Sequence, residues 1–285
     1  MIGFLNVCKP KGMTSSRVVS KIKRLTHCKV GHLGTLDPLA SGVLPIAVGK
    51  ATRLFQYFLN KDKVYIAKAK FGYETDTLDL AGNVIKTSQI IPSKAEIESA
   101  VSELVKVQMQ LPPLFSAKKV NGIRAYELAR QGKMFNLNPK QIEIYDMKLL
   151  SYDNDEAEFY IHCTAGTYVR SIVRDVALSL NTCATTTSIL RIKSGVFDIE
   201  HSVDLNQLNE DNISNFIEPV ENALKGLKVI TVSKKDEEDL KSGKMVLLKN
   251  AVDGELLVKT SGGKVLGICQ AFNHYLKTKT YLLED

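Results

Sequence analysis

The chain has 285 residues, 44% hydrophobic and 24% charged, the balance of a soluble globular protein with room for one large domain and a small one, or for two medium ones. Lys and Arg outnumber Asp and Glu by 38 to 31, and the net charge of +7 favours a polyanionic partner. The five cysteines contain no C-x-x-C pair and the five histidines no H-E-x-x-H, so neither a disulfide framework nor a metal site is expected. No stretch approaches the ~20 apolar residues of a membrane span, and MIGFLNVCKPKGM lacks a signal peptide's apolar run, so a cytoplasmic protein is expected.

In chain order, residues 2–8 are an apolar run of strand length, broken by Lys9-Pro10-Lys11-Gly12. Thr14, Ser15 and Ser16 offer N-caps for a helix to about Leu25, with Val18, Val19, Ile22 and Leu25 on one face. Residues 29–42, with three glycines and a proline, read as an ordered loop. Residues 43–48 read as a strand, and Pro45 places it at an edge or a bulge. A short helix is expected over 52–59 and a half-buried strand over 63–73. Ser93 and Glu96 form a capping-box signature for a helix over 93–105. Residues 111–141 carry Lys118, Lys119, Arg124, Arg130, Lys133 and Lys140 against Glu127, among three prolines and two glycines, and read as a long functional loop. A hairpin over 141–151 and 156–164, a helix over 167–180 and a strand over 187–197 follow. The short apolar runs of the last ~60 residues read as a small β, barrel-like module. The boundary is expected between 1–222 and 223–285.

Residues 1–60 hold nine basic side chains and one acid, Asp37. Asp37 lies in the loop GHLGTLDPLASG, where Pro38 keeps it out of the helical region. The loop thus presents a carboxylate, together with His32, on a fixed non-helical backbone. An ordinary Asp-Pro turn would read the same on spacing alone.

GHLGTLDPLASGVLPIAVGKATR resembles the catalytic motif of the TruB family of pseudouridine synthases. Four further segments match in order: the KPKGMTS start, KVYIAKAKFGYETDTLDLAG, PPLFSAKKVNGIRAYELARQG, and the pair CTAGTYVRSIVRDVA and SILRIKSGVF. The resemblance implies an α/β (α+β) fold, a mixed sheet with flanking helices, followed by a C-terminal PUA-like RNA-binding module. It implies that Asp37 is the catalytic aspartate, that Tyr65 stacks on the target base and that Arg170 pairs with the catalytic carboxylate. His32, Tyr168 and Leu190 fall on residues of the substrate pocket. The implied reaction converts a uridine of the tRNA T-arm loop (position 55) to pseudouridine, without metal, cofactor or guide RNA, by a cytoplasmic monomer that grips tRNA with residues 111–141.

Each residue also has a plainer reading. Tyr65 could be strand packing, Arg170 and Arg174 a solvated helix face at i and i+4, Leu190 core, and His32 a bridge between backbone groups. The chemistry suits the set nonetheless: the reaction breaks and remakes one bond of the base to ribose, and a carboxylate can attack or stabilise a sugar cation as in glycoside cleavage. Attack on the sugar, attack on the base and elimination all stay open. Two rivals are a guide-RNA-dependent synthase, against which the insertion argues, and an RNA-folding chaperone acting mainly by binding tRNA.

Overall fold

The computed structural model describes residues 1–283. The N-terminal apolar run forms β1 (Gly3–Lys9). Helix α1 (Ser15–Thr26) starts where the Thr14 hydroxyl accepts from the amide of Arg17 at 3.2 Å. It ends at His27, whose left-handed φ of 51° lets its amide reach back to Lys23 O at 3.0 Å. The expected loop 29–42 is shorter than its glycines suggest. It contributes β2 (Val30–His32) and the start of β3 (Ala40–Val48), because Val30 and His32 pair in register with Val48 and Ile46.

Pro45 is not on a sheet edge. β3 is paired along its length with β1, and on its other side with two different strands in succession. Pro45 sits in the gap between those two, where its carbonyl accepts from Leu33 N at 2.8 Å. A strand residue's nitrogen and carbonyl point to the same side, so the missing N–H falls where no ladder bond is required.

A 3-10 helix (Gly49–Phe58) follows, starting before the expected residue 52. Next come β4 (Lys63–Phe71), the hairpin β5 (Tyr73–Thr75) and β6 (Val84–Thr87), and α2 (Lys94–Glu103) with its Ser93–Glu96 capping box. β7 (Val107–Gln110) leads into the basic insertion, which is partly structured: β8 (Lys119–Val120), β9 (Ile123–Arg124) and α3 (Ala125–Arg130). The long hairpin β10 (Lys140–Asp153) and β11 (Glu156–Cys163) matches its expected span, as does α4 (Val169–Ser179). β12 (Ala184–Ser194), β13 (Phe197–Asp198) and β14 (Val203–Asp204) complete the strands of this part.

Among the described residues, ten strands make one mixed sheet with the order β14-β1-β3-β12-β4-β11-β10-β7, while β2 pairs β3 and β13 pairs β12. Helices α1, α2 and α4 pack on it through Val18, Ile22, Ile97, Val101, Ile172 and Val176, all buried with Leu44, Ala67 and Phe159 of the strands. The centre of the sheet, β3-β12-β4, carries the loop of Asp37, Ile189 with Arg191, and Tyr65.

After α5 (Val220–Ala223) the chain forms β15 (Lys228–Thr231), α6 (Lys234–Lys241), β16 (Val246–Leu247), β17 (Gly254–Lys259), β18 (Val265–Phe272) and β19 (Tyr275–Tyr281). The strands form a curled second sheet, β15-β17-β18-β19-β16. Its side chains Leu257 and Ile268, with Leu282, join Phe4, Leu54, Phe58 and Phe197 in a single buried apolar cluster. No described helix is long and apolar enough to cross a membrane.

Candidate active site

The loop of Asp37 is clamped from three sides. Ser15 Oγ donates to Leu36 O at 2.8 Å and accepts from Leu36 N at 2.9 Å. Gly12 N donates to Pro38 O at 2.7 Å. Arg191, 1% exposed, donates from Nε to Val43 O at 2.7 Å and from Nη2 to Gly34 O at 3.0 Å. Charge-assisted bonds of this kind to carbonyls are stronger than neutral ones, so the loop is held by a buried cation beneath it. Gly42, at φ +96°, lies where a Cβ would run into the carbonyl of Arg191, so the close approach of β3 to β12 needs glycine there.

The clamped loop opens on a cavity of about 440 Å³ lined by Asp37, Tyr65, Tyr168, Arg170, Ile189 and Arg191 among others. Asp37 is 40% exposed in its side chain and Arg170 only 4%. Their closest approach, Nη2 to Oδ2, is 2.6 Å. Arg170 has a second carboxylate, Asp79, at 3.4 Å, and donates to Thr77 O at 2.8 Å and Phe115 O at 3.1 Å. Asp79 is itself fixed by the Thr77 hydroxyl at 2.8 Å and the Ala81 amide at 2.9 Å. Both terminal nitrogens of the guanidinium are thus engaged, and its position sets that of the Asp37 carboxylate.

Tyr65 is 7% exposed, and burial raises its phenol above the usual range, so it stays neutral at physiological pH. Tyr168 precedes α4. Its amide donates to Gln110 Oε1 at 2.8 Å and its carbonyl accepts from Gln110 Nε2 at 3.1 Å, a two-bond clamp from the end of β7. Four of the six sequence-predicted residues thus meet in one cavity. His32 and Leu190 do not line it. His32 is half-buried on β2 with Nδ1 lacking a hydrogen-bond partner, and burial followed by the charge of Arg191 lowers its pKa, leaving a neutral ring. Leu190 lies between Ile189 and Arg191, and strand alternation turns it to the opposite face.

Three residues not singled out from sequence surround the same centre: Asp79, Arg191 and Lys9. Asp79 was visible only inside the T-D-T-x-D turn, and Lys9 and Arg191 only inside two of the resembling motifs. Lys9 is fully buried, with Nζ donating to Pro10 O at 2.9 Å and Met13 O at 2.6 Å. Burial drives its pKa down to about 8, against the pull of Asp37. Lys63, on the cavity wall, is lowered to about 8 by burial and then by Arg191. Among the described residues no group of three His, Cys, Asp or Glu is placed to hold a metal ion.

Among solved structures the chain is similar to an H/ACA ribonucleoprotein bound to a substrate RNA containing 2'-deoxyuridine, with TM-score 0.72 and 21% identity over 99% of this chain and 85% of that one. At that identity the likeness is one of fold. The sequence matches the TruB family pseudouridylate synthase (N terminal domain) over residues 21–169. It is 40% identical to the tRNA pseudouridine synthase B of Clostridium novyi (strain NT), covering 99% of this chain and 100% of that protein. It is 45% identical to the protein of the same name in Rickettsia bellii (strain OSU 85-389), covering 73% of this chain and 72% of that one. The chain belongs to the TruB family of pseudouridylate synthases.

Proposed function

We propose that the chain isomerises a tRNA uridine, the one at position 55 in the T-arm loop, to pseudouridine, with Asp37 as its catalytic residue and no cofactor. The observation that carries this reading is the half-open Asp37 carboxylate, ion-paired to a buried arginine on the wall of a cavity that also holds a buried tyrosine. In the reaction the bond from N1 of uracil to the sugar carbon breaks, the ring turns, and C5 bonds to that carbon. C5 loses a proton, N1 gains one, and no net oxidation occurs. Asp37 attacks or stabilises the electron-poor centre, Arg170 positions its carboxylate, and Tyr65 stacks on the freed base. Tyr168 closes the wall of the pocket. The target must leave its stack to reach Asp37, which a loop base does more readily than a paired one.

Residues 111–141 serve as the tRNA grip. Their first turn hangs from α4, since Leu111 O accepts from Ser171 Oγ at 2.9 Å and Arg174 Nη2 at 3.0 Å. Further on, Met134 is fully exposed at 101%. Trypsin should therefore cut at Arg130 or Lys133 in the free protein and much more slowly with saturating tRNA. Equal rates would remove the gripping role. Residues 223–285, with 11 lysines from 225 onward and no arginine, act as a PUA-like RNA-binding module. The protein works as a cytoplasmic monomer, without guide RNA.

Lys63 gives this reading a pH signature. Below pH 8 its ammonium attracts phosphate, and as pH rises through about 8 it becomes neutral. The tRNA affinity should fall over that window, and Lys63→Gln should bind a few-fold more weakly at neutral pH with a shallower decline. Filter binding at constant salt reads both. Parallel pH profiles would mean that Lys63 does not touch RNA.

The deciding experiment is tritium release from C5-labelled uridine in an unmodified tRNA transcript, with no other RNA or protein added, and mapping of the modified position. Release from the T-arm loop supports the reading. Failure to release, or release only with a guide RNA, overturns it.

A further inference from the structure

The 3-10 helix of residues 49–58 has three faces with three different surroundings. Ala51, Leu54 and Phe58 are buried in the apolar cluster shared by the two sheets. Lys50, Arg53 and Tyr57 turn to the second sheet: Lys50 Nζ donates to Leu283 O, Arg53 Nη1 to Tyr281 O at 3.0 Å, and Lys279 Nζ stands 5.8 Å from the Tyr57 ring centre. The third face carries Phe55 and, just past the helix end, Leu59. They are 42% and 47% exposed, and both line the cavity that holds Asp37.

An aromatic ring left half in water at the edge of a cavity keeps a face free to pack against whatever enters it. The composition around it says what it fits. Lys63 and Lys140 line the same cavity, so the apolar shelf is set among cations, which suits a group with a flat apolar face and an attached phosphate. The cavity also holds a second aromatic wall, Tyr65, which is 7% exposed and therefore lies deep. One ring at depth beside the carboxylate and another at the rim make two places for bases. Successive bases of a splayed RNA strand are joined by a phosphodiester, and stacking on aromatic rings is the sequence-tolerant way to hold them.

We propose that Phe55, backed by Leu59, is a second base subsite: a stacking platform for a nucleotide adjoining the reacting uridine. This rests on the reading of the cavity as the site of an RNA uridine isomerase. The platform holds the neighbour out of its own stack and keeps the strand open while the target occupies the depth of the cavity.

The chain has no tryptophan, so Phe55→Trp places a single indole at the rim. Its fluorescence should be quenched when a T-arm stem-loop binds. An abasic nucleotide at one of the positions flanking the target should abolish the quenching. Phe55→Ala should lower kcat/KM about tenfold on the intact stem-loop, mainly through KM, and have almost no effect on the RNA already abasic at that position. Phe55→Tyr, which keeps the ring, should be close to wild type, which excludes a general folding defect. Unchanged indole fluorescence, quenching indifferent to every flanking abasic site, or equal losses for Phe55→Ala on intact and abasic RNA would each overturn the subsite. Wild-type tritium release from the same stem-loop separates the two claims. If wild type turns over and the indole stays silent, only the subsite falls; if wild type releases nothing, the isomerase reading falls first.

Discussion

Asp37→Asn should abolish isomerisation, with single-turnover tritium release falling by at least about 10⁴-fold while tRNA affinity stays within a few-fold of wild type. The asymmetry follows from the site. Asparagine fills nearly the same space as aspartate, and the clamp on the loop does not use the side chain: it runs through Ser15 to Leu36, Gly12 to Pro38 and Arg191 to Gly34 and Val43. The loop should keep its shape, and an uncharged near-isostere should leave phosphate binding little changed, so binding should survive while the carboxylate proposed for catalysis is gone. Appreciable turnover by the variant would move catalysis to another residue.

Arg170→Ala should be both inactive and less stable. Removing the guanidinium frees Asp37 and leaves Asp79, only 9% exposed in its side chain, without its cationic partner. Breaking one side of a buried ion pair costs about 3–5 kcal/mol, which for a chain of this size lowers Tm by about 10 °C. Two carbonyls, Thr77 O and Phe115 O, also lose their donor, and the second is one of the points that tie down the basic insertion. Asp79→Asn separates positioning from folding. The near-isosteric amide keeps the turn, so this variant should melt close to wild type yet lose roughly 10- to 100-fold in kcat with little change in KM. Calorimetry and steady-state kinetics on the two variants check this, and a fully active Asp79→Asn would show that Arg170 needs no second carboxylate.

The periodic elements were legible in the sequence. The helices at 15–26, 94–103 and 169–179 and the hairpin over 140–163 follow apolar spacing and caps that any tertiary context would keep. β7 was not legible because its pattern is inverted: Val107 and Met109 are exposed while Gln110 is buried. Gln110 is inward because it clamps the backbone of Tyr168, a long-range reason that local alternation cannot carry. β6 was missed because all four of its residues are exposed and the strand rests only on its partner.

Asp37, Tyr65, Tyr168 and Arg170 were named from segments far apart in sequence, and they converge on one cavity. The i, i+4 pair Arg170 and Arg174 suggested a solvated face, but Val169 through Val173 are all buried, so this turn of α4 has no such face. Lys9, Asp79 and Arg191 escaped notice because nothing local marks a charged residue as buried. Arg191 and Asp79 meet their carbonyls and guanidinium only because the fold brings them from other elements, while Lys9 bonds carbonyls one and four residues along the chain and owes only its burial to the fold.

The shared apolar cluster has a consequence for how the molecule unfolds. Phe4, Leu54, Phe58 and Phe197 lose their cover if Leu257, Ile268 and Leu282 depart, so melting either sheet exposes hydrophobic surface on the other. The two sheets should therefore melt as one cooperative unit, with matching calorimetric and van't Hoff enthalpies, in spite of their separate hydrogen-bond networks. A chain cut after residue 223 should aggregate rather than survive as a half-molecule. The lysine-bearing sheet is an internal support of the protein's architecture, and an ancestral loss of it would have required the exposed aromatic surface to be rebuilt as polar.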